Sequence, residues 1–552
     1  MKLSALISDG MVLQRGKENT VWGNECAGGE KIEVTIDSKT VTCVADPNGE
    51  FKITLPDVDA GGPYELTIAA ANEKIVINDV YCGDVYLLTG QSNMEIPLQR
   101  CMDMYEDEIR QMDLPYIHYF EVPKEGAFGE PVKDIYKGKW LPATQENLYP
   151  MSALGVFFAR LAHADFKVPI GLIQTGVGGT HIESYLSEEH VIKMGRLLRE
   201  LAKERGEDIT SCNCDKNDSC KVCYEKQLEQ DKDDEWVAMT AKKEVEAQQK
   251  WSETLDSRDP GLKEHWERKT SLYEEGEDAK FVNAPGFWEN MTDNKELETI
   301  RGSVWLLKNV NIPSGWTGQE VRLYLGTLVD ADDTYVNGEH VGNTGYRFPP
   351  RRYRIPAGVL HEGVNTIVIR LIVNGRTGGF VPEMPYYLSL GDEKIGLEGK
   401  WEFKIGGSLD RERDGDAFEM SDVTFFNWKP TAQYNGMVYP LRNLKFKGVL
   451  FYQGESNCSH TWEYEYLMID MTECLRELLG EELPFGFIQL PRFGEPGTKD
   501  WDELRESQAR AAAVIPNSCI ADIYDLGFTY ELHPQTKKEA AERLYEKMKP
   551  LL

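Results

Sequence analysis

From Asp84 onward the chain alternates apolar strands with helical periods, and no other feature limits its fold as tightly. Val85-Tyr86-Leu87-Leu88 reads as a buried strand, Ala153-Leu154-Gly155-Val156-Phe157-Phe158-Ala159-Arg160-Leu161 as a helix, and Pro169-Ile170-Gly171-Leu172-Ile173 as a second strand. Strand, helix, strand implies a parallel sheet, because parallel neighbours must be joined by a crossover. The same texture returns far along the chain. Gly448-Val449-Leu450-Phe451-Tyr452 and Cys519-Ile520-Ala521-Asp522-Ile523 read as strands, with helices over residues 501–514 and from Lys537 onward. The expectation is one α/β domain in two halves, residues 81–186 and 409–552.

What interrupts and precedes it has a different grain. Residues 1–80 alternate apolar and polar positions, as in Lys31-Ile32-Glu33-Val34-Thr35-Ile36, between turns such as Gly61-Gly62-Pro63. That pattern predicts an N-terminal β-sandwich. Residues 187–300 are charged and helical, with no strand signal, and read as an insertion. Residues 301–408 turn β-rich again, with Val321-Arg322-Leu323-Tyr324-Leu325 and Asn365-Thr366-Ile367-Val368-Ile369-Arg370, and predict a second sandwich or jelly roll.

The formal net charge of −31 excludes phosphate-backbone binding as a main role, since counterion release needs a basic face. No stretch approaches the roughly 18 apolar residues that span a bilayer. Met1 to Gly10 meets an acid before any signal-type core develops, and 11 cysteines, an odd number, fit a reducing compartment. The expected location is the cytoplasm, with no membrane or nucleic-acid partner; the oligomeric state is not legible. Cys212, Cys214, Cys220 and Cys223 cluster within the helical insertion. Four thiolates can close a structural zinc shell; reduced thiols and disulfides are the other readings.

The chemistry begins where the first strand ends. Gly90-Gln91-Ser92-Asn93-Met94 places a serine at a strand-to-helix junction. A serine hydroxyl attacks only when an imidazole removes its proton, and Asp525-Leu526-Gly527-Phe528-Thr529-Tyr530-Glu531-Leu532-His533-Pro534 supplies one at His533. The acid that orients the imidazole is Glu531, two residues before it, or Asp525, eight before it. Taken alone, Ser92 also reads as a helix N-cap. Acyl transfer further needs donors aimed at a developing oxyanion. The glycine turn Thr175-Gly176-Val177-Gly178-Gly179-Thr180 and the amide of Gln453, in Tyr452-Gln453-Gly454-Glu455-Ser456-Asn457, are the candidates. Gln91, Asn93 and Glu455 stand beside these groups as substrate contacts or supports. Met94 replaces the second glycine of Gly-x-Ser-x-Gly, so the α/β-hydrolase elbow fits poorly.

These four segments resemble blocks I, II, III and V of the SGNH hydrolases, in the version found in the sialate O-acetylesterase family. Ser8-Asp9-Gly10-Met11-Val12-Leu13-Gln14-Arg15 and Tyr434-Asn435-Gly436-Met437 extend the resemblance. It implies a flavodoxin-like three-layer domain that removes acetyl groups from sugars without a catalytic cofactor. By position, Ser92 would be the nucleophile, His533 the base, and the Ser92 and Gly178 amides with Gln453 the oxyanion hole. Many SGNH enzymes carry an aspartate three residues before the histidine; this chain has Tyr530 there. Asp332 to Gly338 resembles the sugar-binding-like jelly roll of family 2 glycoside hydrolases. The substrate implied is an acetylated mono- or oligosaccharide, either sialic acid or a xylan, xyloglucan or mannan fragment. A non-catalytic carbohydrate-binding protein is the rival from another class.

Overall fold

The computed structural model describes residues 1–71, 73–127, 129–206, 234–290, 295–374, 377–414, 429–459, 461–480, 482–494 and 500–552. The cluster Cys212, Cys214, Cys220 and Cys223 lies outside the described residues. The chain divides into two units: Met1–Trp236 with Asp422–Gly527 and His533–Leu552, and Val237–Ser421 with Phe528–Leu532.

The first unit is mixed α/β. Its central sheet is built from β1 (Lys74–Gly90), β2 (Leu114–Glu121), β3 (Trp140–Ala143), β4 (Ile170–Gln174), β5 (Gly448–Tyr452), β6 (Phe485–Ile488) and β7 (Ser518–Ala521). Their order across the sheet is β3-β2-β4-β1-β5-β6-β7. Every neighbouring pair on this path is parallel except β3 with β2, so β3 forms an antiparallel edge. Helices α1 (Met102–Gln111), α2 (Ala153–Phe166), α3 (Glu188–Arg205), α4 (Thr461–Leu479), α5 (Trp501–Val514) and α6 (Lys537–Met548) accompany it. From β1 the chain moves to β2 and β4 on one side, then to β5, β6 and β7 on the other. The strand order therefore reverses at β1, and the crevice beyond the carboxyl ends at such a reversal is where open α/β sheets bind ligands.

β1 does two jobs, and its burial shows it. Its first half has exposed positions and pairs antiparallel with Gly61–Ala69 of the N-terminal β-region. Its last nine residues are all buried, as expected of a strand covered on both faces. The strand runs unbroken through residue 80, and its pairing with Gly61–Ala69 reaches past it to Cys82 with two register shifts. Val12–Gln14 adds a short parallel partner to Tyr81–Gly83. Here Arg15 grips the buried carboxylate of Asp84 with two bonds of 2.8 Å, and Gln14 Oε1 accepts from the Val85 amide at 2.8 Å. Among the described residues no helix is long and apolar enough to cross a membrane.

The second unit is dominated by two antiparallel sheets. The larger runs in the order Phe281–Ala284, Gly399–Ser408, Arg301–Ile312, Gly363–Asn374, Ala331–Val336, Glu339–Thr344. The smaller joins Arg352–Ile355, Val321–Leu325, Tyr386–Leu390 and Glu393–Gly396. Alternate residues of both, including Val304, Leu306, Ile369, Leu323 and Leu388, meet in one core with Trp288, Trp316 and Trp401. The strand Phe281–Ala284 falls inside the stretch read as purely helical. It is short, pairs on one side only and stops at Pro285, so it carries too few alternations to announce itself.

Candidate active site

Gly90 closes β1 at φ +124°, and a Cβ there would lie 2.1 Å from the Tyr452 carbonyl oxygen, so only glycine lets β1 and β5 approach this closely. The chain then enters the helical turn Ser92–Glu95. Gln91 takes the N-cap position without a side-chain cap, which leaves the Ser92 hydroxyl free of capping duty. That hydroxyl lies 2.8 Å from Nε2 of His533, across 441 residues of sequence. Both residues are half-buried.

Burial, then the positive charges of Lys537 and Arg100, holds the His533 imidazole down to about 3. It is therefore neutral at neutral pH and able to accept a proton from Ser92. The two candidate acids have different surroundings. Asp525 is two-thirds exposed and grips Arg543 with bonds of 2.5 and 2.8 Å, which holds its carboxyl at about 2. That engagement commits both Asp525 oxygens to Arg543. Glu531 is buried, and its Oε2 accepts from the Phe528 amide at 3.3 Å.

Gly178 lies beside the serine: a Cβ on it would lie 3.5 Å from the Ser92 Cβ. Its amide, however, already donates to Glu95 Oε2 at 2.7 Å. The other oxygen of Glu95 pairs with Lys124 at 2.5 Å. Gly179, at φ +77°, completes the turn. A carboxylate thus sits on the donor that an oxyanion would use.

Gln453 departs from its expected role. It is fully buried, and its Nε2 is surrounded by three acceptors: Gln91 Oε1 at 3.1 Å, the Thr180 carbonyl at 3.1 Å and Asn457 Oδ1 at 2.7 Å. Its two amide hydrogens are committed there, while Tyr464 donates to its Oε1 at 2.7 Å. Gln453 is the hub that joins the segments after β1, β4 and β5. Gln91 serves the same network, its Oε1 also accepting from the Gly454 and Ser456 amides. Asn93 donates to Glu455 Oε1 at 2.5 Å. Burial raises the Glu455 carboxyl, against the pull of Asn93 and Lys537.

Several contributors escaped the sequence. Tyr185 donates to the Gly90 carbonyl at 2.5 Å and fixes the strand end behind the serine. Glu95 and Lys537 lie three residues after the serine and four after the histidine, a proximity that was the one available signal.

Comparison with known proteins finds relatives by sequence and by fold. Residues 421–549 match the family described as carbohydrate esterase, sialic acid-specific acetylesterase. The sialate O-acetylesterase of Mus musculus is 28% identical over 204 residues, and that of Rattus norvegicus 29% over 203. Each alignment covers 34% of this chain and 37% of the relative, so the chain spans little more than a third of their length. A carbohydrate acetylesterase from Xanthomonas citri shares the fold, with a TM-score of 0.54 and 20% identity over 99% of this chain and 73% of that one. By fold, the chain is a mixed α/β protein similar to that structure. By sequence, its likeness is to the sialate O-acetylesterases, through residues 421–549 and about a third of the chain.

Proposed function

We propose that the chain is a carbohydrate O-acetylesterase working through Ser92 and His533. The observation that carries this reading is the 2.8 Å contact between the Ser92 hydroxyl and the His533 imidazole at the carboxyl ends of a parallel sheet. Ser92 Oγ attacks the acetyl carbonyl as its proton passes to His533 Nε2. The tetrahedral oxyanion is held by the Ser92 amide and by the Gly178 amide once Glu95 withdraws. Collapse expels the sugar oxygen, which takes the proton from His533, and leaves acetyl-Ser92. Water, deprotonated by the same imidazole, then releases acetate and restores the serine.

We read the first unit as an SGNH-type hydrolase domain and the antiparallel sheets of the second as a jelly-roll insertion. The strand reversal at β1 and the four matched segments support the former; the shared two-sheet core supports the latter. The substrate class is an acetylated sugar, sialic acid or a hemicellulose oligosaccharide. The test is acetate release across acetylated sialosides, xylo-oligosaccharides and manno-oligosaccharides, with a serine-directed phosphonate to label Ser92. Absence of both turnover and labelling would favour a carbohydrate-binding protein and end the reading.

A further inference from the structure

Lys537 places a positive charge where physical chemistry disfavours one. The side chain is 1% exposed and begins helix α6, whose amino end already carries positive partial charge. Its bonds explain the placement. Nζ donates to Oδ1 of Asn93 at 2.7 Å and to the Pro534 carbonyl at 2.7 Å. Asn93 directly follows Ser92, and Pro534 directly follows His533. The ammonium also lies 5.3 Å from the centre of the Tyr452 ring, at the end of β5. Asn93, itself fully buried, passes the contact on to Glu455, so a buried carboxyl group stands at the far end of the relay.

We propose that Lys537 is the positioning residue of the Ser92–His533 pair, its ammonium clasping the residue after the nucleophile to the residue after the base. The inference rests on the reading of Ser92 and His533 as nucleophile and base. Three chain segments converge on this ammonium: the turn after β1, the end of β5 and the loop that enters α6. Holding all three fixes the separation across which the proton moves, and small errors in such geometry cost large factors in rate.

The charged groups around His533 make the clasp separable from a purely structural bond. Lys537 approaches from its own helix and Arg100 from the turn Leu98–Cys101, and both oppose imidazolium formation. Glu455 lies beyond Asn93 on the turn after β5, and Glu531 is two residues earlier in the chain. Removing the Lys537 charge therefore eases protonation of His533 and moves the acid limb of the rate profile to higher pH.

The experiment compares the full chain with Lys537→Met, Lys537→Arg, Asn93→Ala and Ser92→Ala, measuring 4-nitrophenyl acetate hydrolysis against pH together with thermal unfolding. Lys537→Met is expected to lose roughly tenfold to a hundredfold in kcat with KM little changed, and to shift its acid limb upward. Lys537→Arg should keep the limb and recover most of the rate. Asn93→Ala opens the clasp from its other end and should lose rate with the limb in place; it carries the test if Lys537→Met does not fold. Wild-type rates in Lys537→Met and Asn93→Ala, or a lowered melting temperature with an unmoved limb in Lys537→Met, would overturn the clasp. Hydrolysis surviving in Ser92→Ala would overturn the underlying reading instead.

Discussion

In the second unit the fully buried carboxylate of Asp259 accepts from the Gly261 amide, Ser303 Oγ, Trp305 Nε1 and Arg370 Nε, at 2.6 to 3.0 Å. In the first unit, Ser92 and His533 are held from behind by a buried network yet remain partly exposed themselves. The first arrangement answers every lone pair with protein and leaves nothing for a ligand. The second commits the residues behind the serine and histidine to one another and leaves that pair itself partly exposed. Burial of polar groups is common to both; what separates scaffold from site is where the commitment stops.

The sharpest way to break this contrast is to remove one group from each. Ser92→Ala should abolish acetate release, by about 10⁴-fold or more, with an unchanged melting temperature. Asp259→Ala leaves the buried Arg370 guanidinium its bond to Asp256 but takes away its Nε partner and the shared acceptor of Gly261, Ser303 and Trp305, and should cost about 3–5 kcal/mol of stability. Chemical denaturation measures it. An Asp259→Ala protein that unfolds like the wild type would erase the distinction.

The orienting acid is the next test, because the two candidates repeat the same contrast of surroundings. Asp525 is exposed and occupied by Arg543, so Asp525→Asn should change turnover less than about twofold, as surface ion pairs contribute little. Glu531→Gln should cost about a hundredfold or more if it fixes the imidazole tautomer. Steady-state kinetics of the two variants decides it, and equal losses would discard Glu531 as the orienting acid.

This difference also marks how far the sequence could be read. The continuous apolar runs at Val85–Leu88 and Gly448–Tyr452 announce buried parallel strands, and both join the central sheet. The meeting of Ser92 with His533 was legible because each lies in a segment whose residue types already imply the chemistry. The fate of Gln453 was not. Whether an amide faces a ligand or three protein acceptors depends on Gln91, Thr180 and Asn457, which converge only through tertiary packing. Asp525 and Arg543 likewise meet across a loop and a helix, so spacing to the histidine gave no hint that the carboxylate was occupied. Phe281–Ala284 shows the limit for elements, since a one-sided edge strand owes its existence to Gly399–Ser408 more than to its own pattern.

Glu95 probes the boundary between committed and available groups. Its carboxylate holds the Gly178 amide, and charge-assisted bonds of this kind are about twice as strong as neutral ones. Glu95→Gln should weaken that hold, so acetate should inhibit several-fold more strongly while the melting temperature changes little. Product-inhibition constants provide the measurement. Unchanged inhibition with a lower kcat would make Glu95 a support for the turn.

The smallest effects come from two histidines of the first unit that repeat the contrast in miniature. His118 is buried, and desolvation lowers it from 6.5 to about 4. Its folded value lies below the unfolded one, so its contribution is complete above 6.5 and is lost as pH falls toward 4, by about 1.4 kcal/mol per unit. His190 is also buried, but Asp470 at 2.9 Å raises it, with Glu477 adding to the effect. Its contribution is complete below 6.5 and disappears as pH rises through the raised folded value. Melting temperature against pH should therefore lose part of its acid slope in His118→Gln and part of its alkaline slope in His190→Gln. Parallel curves for both variants and the wild type would mean that neither imidazole changes its proton binding on folding.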